Sequence, residues 1–252
     1  MKKLIYVVVV GVSTFLFITF TSPIFVQSKN QDMQVHENAE IKAKDSMVSS
    51  EKDNENKDIS QNNERIIPNV LLVNKSNKLS SEYVPENLKI PNVKFISYAD
   101  PSVKKMENTA AHALEELFSE ALKDGINLLA VSGYRPYRYQ EGLYNNKVKS
   151  SGKIEADKYV AQPGASEHQT GLAMDVLSDE YSNLDSGFQN TIAYSWLKEN
   201  SFKYGFVIRY TKEKENITKY SFEPWHLRYV GVEAATYMVK NNLALEEYVN
   251  KK

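Results

Sequence analysis

The chain has 252 residues, a formal net charge of -1 and no cysteine. This near-neutral balance offers no basic surface to a nucleic-acid partner. The missing cysteines exclude disulfides, thiolate metal sites, a cysteine nucleophile and a lipidated cysteine anchor, so stability must come from the core, aided at most by a metal.

Lys2 and Lys3 precede an apolar run from Leu4 to Phe20, broken only by Gly11, Ser13, Thr14 and Thr19. A basic head before such a run is an export signal, and "VQS" at Val26–Ser28 offers small residues for cleavage. The run is also long enough to serve as an uncleaved membrane anchor. Residues 1–28 are therefore read as signal peptide or anchor, and the protein as extracytoplasmic, either secreted or held at the cell membrane. Residues 29–65 contain no aromatic residue, Gly or Pro. Such a polar segment cannot bury enough apolar surface to offset its ordering entropy, which predicts a disordered linker with His36 solvated in it.

One domain is expected over 66–252. "IIPNVLLV", from Ile66, reads as a short strand followed by a polar turn and an extended segment at Pro85. Residues 101–125 predict a helix with Met106, Ala110, Ala113, Leu114, Leu117 and Leu122 on its apolar face, ended by Asp124-Gly125. His112 lies in it as a surface or satisfied-core residue. "INLLAVSGYR" reads as a buried strand entering a turn, and residues 137–152 as a second helix ended at Gly152. "GLAMDV" is a short strand, and residues 187–205 form an amphipathic helix closed by Gly205. "FVIRY" and "KYSFEPWHLRYV" are strands separated by a polar loop, and two helices end the chain. With no repeat and no βαβ period, the pattern predicts an α+β domain, a small, largely antiparallel sheet flanked by helices.

Three distant motifs carry chemistry: "SGYR" (Ser132–Arg135), "SEHQTGLAMD" (Ser166–Asp175) and "EPWH" (Glu223–His226), with Gln140 as a further polar residue. His168, Asp175 and His226 supply two imidazoles and a carboxylate, the ligand chemistry of a catalytic zinc site that keeps a position for water. Glu223 would be a carboxylate close to that water. Spacing alone leaves the matter open, because residues seven or three apart on a regular strand face opposite ways. Convergence needs bends, for which Gly171 and Pro224 are the available residues. Without those bends the same residues read equally well as satisfied polar groups in turns.

"SxHxxGxAxD" followed far downstream by "ExWH" resembles the zinc D-alanyl-D-alanine carboxypeptidases of the VanY and LdcB kind, cell-wall peptidases with the fold of the Hedgehog signalling domain. The resemblance runs from about Ile66 to the C-terminus and includes "LLVNKSNKLSSEYVPENL", "SGYRPYRYQEGLYNN" and "PGASEHQTGLAMDV". It implies one zinc ion held by His168, Asp175 and His226, with Glu223 as general base. It implies Arg135 beside the scissile peptide, stabilising charge on the carbonyl oxygen, and Gln140 and Ser166 helping to hold the terminal D-residue and its carboxylate. Trp225, Tyr134 and Tyr137 read either as cleft lining or as core.

The implied activity is removal of the C-terminal D-alanine from peptidoglycan stem peptides, a D-Ala-D-Ala pentapeptide or an L-Lys-D-Ala tetrapeptide, by a monomer. The alternatives are a wall-associated module with a structural zinc site and an endopeptidase on the same fold. A serine peptidase is disfavoured: Ser102–Lys105 forms Ser-x-x-Lys, but Lys-Thr-Gly is absent. No His-Glu-x-x-His run occurs.

Overall fold

The structure, a computed structural model, describes residues 70–251. The signal or anchor expected at 1–28, the linker expected at 29–65 and His36 lie outside the described residues.

No strand forms over the described part of the first expected strand; Val70–Val73 lie in coil. Side chains take the backbone partners that a neighbouring strand would have used. Leu71 O accepts from Arg228 Nη2, and Asn74 Oδ1 accepts from the backbone N–H groups of Ser76 and Asn77, which turns the chain. β1 (Leu88–Lys89) pairs antiparallel with β2 (Met106–Glu107). That pairing delays the first helix: Pro101–Val103 is only a 3-10 turn, and α1 spans Asn108–Lys123. Glu107 caps α1 by accepting from the N–H groups of Thr109 and Ala110. The buried face of α1 is Ala110, Ala111, Leu114, Leu117, Phe118 and Ala121. Leu122, expected on this face, is 61% exposed, because eight residues beyond Leu114 it lies about 80° round the helix.

β3 (Leu128–Ser132) is buried throughout. α2 (Tyr137–Ser151) ends at Gly152, whose φ is +79°, and an unexpected α3 (Lys153–Tyr159) follows. β4 is Ala173–Ser178. The single helix expected over 187–205 is divided into a 3-10 turn, α4 (Ile192–Asn200) and a second 3-10 turn. Thr191 starts α4 afresh by accepting from Tyr194 N–H. β5 (Phe206–Tyr210), a four-residue α5 (Glu215–Thr218), β6 (Glu223–Tyr229), α6 (Val232–Lys240) and α7 (Leu245–Val249) complete the order.

β3, β4, β6 and β5 form, in that spatial order, an antiparallel sheet, as the α+β reading requires. Strand alternation gives its two faces different chemistry. Met174 and Val176 of β4, Leu227 of β6 and Phe206 of β5 join Leu114 and Leu117 of α1 and Leu197 of α4 in the larger core. The opposite face carries Asp175, His226, Arg228 and Arg209, all buried. A smaller core joins Val207 to Ala235 and Met238 of α6 and to Leu245 and Tyr248 of α7. Among the described residues no helix is long and apolar enough to cross a membrane.

One turn links the cores to the polar face. Glu167–Thr170 forms a 3-10 turn that ends at Gly171, with φ +70°. A Cβ on Gly171 would lie 3.0 Å from Glu107 N and from Leu88 Cδ2. Gly171→Ala should therefore cost ~1–3 kcal/mol from backbone strain and crowding. The expected result is a lower denaturant midpoint with an unchanged slope; an unchanged midpoint would show that the left-handed turn is not required.

Candidate metal centre

The polar face brings the three sequence motifs together. Asp175 and His226 are direct cross-strand partners, and Ser132 stands opposite Asp175 on the other neighbouring strand. Side chains paired in this way share a face at short range. His168 comes from the 3-10 turn, folded back towards Asp175 through Gly171. A bulge serves Glu223: Ile208 pairs with Leu227 but Tyr210 with Glu223, so four steps on β6 (223 to 227) face two on β5 (208 to 210). Pro224, which has no N–H to contribute to the ladder, sits in this bulge. Glu223 Oε2 ends 3.7 Å from His226 Nδ1. Both bends that convergence required are present.

His168 Nε2 and His226 Nδ1 lie 3.4 and 3.3 Å from Asp175 Oδ1. One donor atom from each residue lies within 4.8 Å of the others, and all three residues are buried. Asp175 Oδ1 is buried without a hydrogen bond, a costly state unless positive charge meets it. The outward-facing atoms are all engaged. His168 Nδ1 is 2.8 Å from Gly133 O and so carries the proton, leaving a lone pair on Nε2. His226 Nε2 is 3.3 Å from Glu167 Oε2, which turns Nδ1 inward to Asp175 Oδ1. Asp175 Oδ2 accepts from Arg135 Nη2 at 2.6 Å, while Arg135 Nε donates to Ser132 Oγ. Engaged outer atoms and free inner ones are the arrangement of metal ligands, and two imidazoles with one carboxylate suit zinc.

Charge favours the same reading. Burial lowers the His168 pKa to about 4, assisted by Arg135. Burial also acts to lower His226, but the close carboxylates of Asp175 and Glu167 and the nearby Glu223 push it up to about 9. Three carboxylates around one imidazole mark a place where a cation is favoured. Burial pushes the Glu223 carboxyl up to about 7; Asp175 adds to this, and His226 and Arg135 oppose it. The Glu223 side chain is 19% exposed.

The centre opens into a cleft of about 550 Å³ that Arg135, Gln140, Ser166, Glu223 and Trp225 also line. Gln140 Nε2 donates to Ala161 O, leaving Oε1 buried without a partner. Trp225 borders both the cleft and the larger core, whereas Tyr134 is buried and, like Tyr137, is not part of the cleft wall. His112 is at the surface beside Glu115. Ser102 Oγ donates to Asp100, whose carboxylate also caps the 3-10 turn at 101–103 by accepting from Ser102 N–H.

Sequence reasoning missed what stands behind His226. Glu167 Oε1 accepts from Arg209 Nε and Arg228 Nη1, each at 2.8 Å. Arg209 also makes a two-pronged pair with Glu246 of α7, which accepts from Asn74 Nδ2. Burial works to raise the Glu167 pKa, but the two guanidiniums hold it well below the usual carboxylate range. The one local sign was the alternation of His226 and Arg228 along β6, which places two polar residues on one face.

The family model for VanY D-alanyl-D-alanine carboxypeptidase matches residues 103–232. The putative carboxypeptidase YodJ of Bacillus subtilis is 46% identical over 192 residues, which are 76% of this chain and 69% of that protein. The solved LdcB LD-carboxypeptidase is 47% identical with a TM-score of 0.68, covering 71% of this chain and 85% of its own. The vancomycin-resistance D,D-pentapeptidase VanY, solved as a glutamate-to-alanine mutant in complex with Zn(II), is 36% identical with a TM-score of 0.59, covering 71% and 98%. With its ligand-type atoms gathered on one sheet face and these relatives sharing both sequence and fold, the chain belongs to the VanY D-alanyl-D-alanine carboxypeptidase family.

Proposed function

We propose that the protein is a zinc carboxypeptidase that removes the C-terminal D-alanine from bacterial peptidoglycan stem peptides. The observation that carries this reading is the buried His168–Asp175–His226 cluster, whose unpartnered Asp175 Oδ1 lies beside Glu223 at the end of an open cleft. His168 Nε2, Asp175 Oδ1 and His226 Nδ1 would hold one zinc ion. When bound, zinc supplies Lewis-acid polarisation of the scissile carbonyl and acidification of water.

This chain's residues perform the rest. Glu223, with a pKa near neutrality, takes a proton from the attacking water and returns it to the leaving D-alanine nitrogen. Arg135 is fixed by Ser132 and Asp175 through Nε and Nη2. Its Nη1 is left for the carbonyl oxygen, where negative charge develops. Gln140 Oε1 offers an acceptor to a substrate N–H, and the Ser166 hydroxyl serves the terminal carboxylate. Retention of Glu223 and Arg135 beside the donor set favours an enzyme over a purely structural metal site, which needs neither. An enzyme of the cell wall acts outside the cytoplasm, and the basic-then-apolar N-terminus supports export, with anchoring as its uncleaved form.

Free D-alanine released from synthetic stem tetra- and pentapeptides tests the reading. Release should disappear with a chelator and return on addition of zinc. Zinc binding without any release would leave a structural metal module.

A further inference from the structure

One wall of the cleft is a single face of α2. Gln140, Leu143, Lys147 and Ser150 follow one another at three- and four-residue steps, and all line it. The groove therefore runs along the helix axis. Arg135, just before α2, bonds Asp175, so the first turn of the helix, with Gln140, stands at the metal centre. Lys147 lies seven residues further on, ~10 Å along the axis. The segment at the end of α3, which also lines the cleft, keeps the same order: Ala161 O accepts from Gln140, while the Tyr159 ring lies 5.7 Å from the Lys147 ammonium.

Lys147 is the cation of this helical pair that faces the cleft. Arg138, Lys153 and Lys158 are each bonded to a carboxylate; Lys147 and Lys149 have none among the described residues, and of these two only Lys147 lines the cleft. The cleft-lining residues beside it on α2, Leu143, Asn146 and Ser150, are neutral. The acidic groups of the cleft, Glu167, Asp175 and Glu223, cluster at the metal end. A half-buried ammonium over an aromatic ring and without a counter-charge suits an anionic group on the substrate.

We infer that Lys147 sets specificity by pairing with a carboxylate that the stem peptide carries about three residues from its C-terminal end, since an extended chain advances ~3.3 Å per residue. The inference rests on the carboxypeptidase reading above. In a pentapeptide two groups supply this chemistry near that distance. One is the free α-carboxylate of the γ-linked D-glutamate, three residues from the end. The other is the side-chain carboxylate of a diamino dicarboxylic acid at the third position, two residues from the end with the reach of its side chain added.

The test uses tetra- and pentapeptides in which the D-glutamate carboxylate is free or amidated, crossed with diaminopimelate or lysine at position three. The wild type should favour the peptide bearing both carboxylates over the one bearing neither by about three- to tenfold in kcat/KM, carried by KM. The single-carboxylate peptides show which group is read. Lys147→Met should bring the ratio close to one, Lys147→Arg should keep it, and Lys147→Glu should invert it. A wild-type ratio near one, or a full preference retained in Lys147→Met, overturns the inference and leaves the carboxypeptidase reading intact. No D-alanine release from any peptide by the wild type overturns both.

Discussion

Glu223→Ala should reduce D-alanine release by ~10²–10⁴-fold while leaving one zinc ion per chain. The Glu223 carboxylate is not one of the three mutually facing donor atoms; it lies 3.7 Å to one side, from His226 Nδ1. The anchors of those donors, Gly133 O, Glu167 and Arg135, are all independent of Glu223. Truncation to Ala therefore removes the proposed proton-transfer group and disturbs nothing that orients the proposed metal ligands. Pro224 remains in the β6 bulge, so the backbone path to His226 is unchanged. His226→Ala is the contrasting variant, expected to lose both activity and metal, because two donors of a buried site do not replace three. D-alanine release and metal content, measured on the same samples, separate the two. Full activity in Glu223→Ala with zinc present would remove Glu223 from the chemistry; full zinc content in His226→Ala would remove that residue from the ligand set.

The residues of the proposed centre were legible because their types are rare and their order specific: His168, Asp175, Glu223 and His226 stand in motifs that a chain of this composition has little other reason to carry. Even the bends could be foreseen. Gly171 and Pro224 were residues able to bend the backbone at those places, and the structure places a left-handed turn at one and a bulge at the other. What escaped was set by contacts across long sequence separations. Nothing local says that Glu167 meets Arg209 and Arg228, 42 and 61 positions away. Helix boundaries failed for the opposite reason. Glu107 and Thr191 make local side-chain caps that restart the chain where a continuous apolar period predicted one longer helix. Gln140 illustrates both limits: its presence in the cleft followed from the motif, but its unpartnered atom, the acceptor Oε1, required knowing that Ala161 occupies the amide nitrogen.

Replacing Glu167 should destabilise the fold and weaken the metal site together. Its side chain is fully buried and accepts from His226 Nε2, Arg209 Nε and Arg228 Nη1 at once. Glu167→Ala leaves Arg228 without its carboxylate and Arg209 with only Glu246, so two guanidiniums share one counter-charge in a buried setting. Breaking a buried ion pair from one side costs ~3–5 kcal/mol, and Asn74 and Leu71, which bond Glu246 and Arg228, should be released with it. Loss of the partner that fixes the His226 tautomer should lower zinc affinity by ~10–100-fold. The two effects separate in Glu167→Gln, whose amide keeps the size and one acceptor but not the charge. Denaturant unfolding of the zinc-free protein reads the stability loss, and competition against a chromophoric chelator reads the affinity. Wild-type zinc affinity in a folded Glu167→Gln would confine Glu167 to the core. A zinc-free Glu167→Ala as stable as the wild type would mean that the two arginines are satisfied elsewhere. A fall in both quantities would show that the ionic network tying α7 and the 71–74 segment to β5 and β6 is also the support of the metal centre.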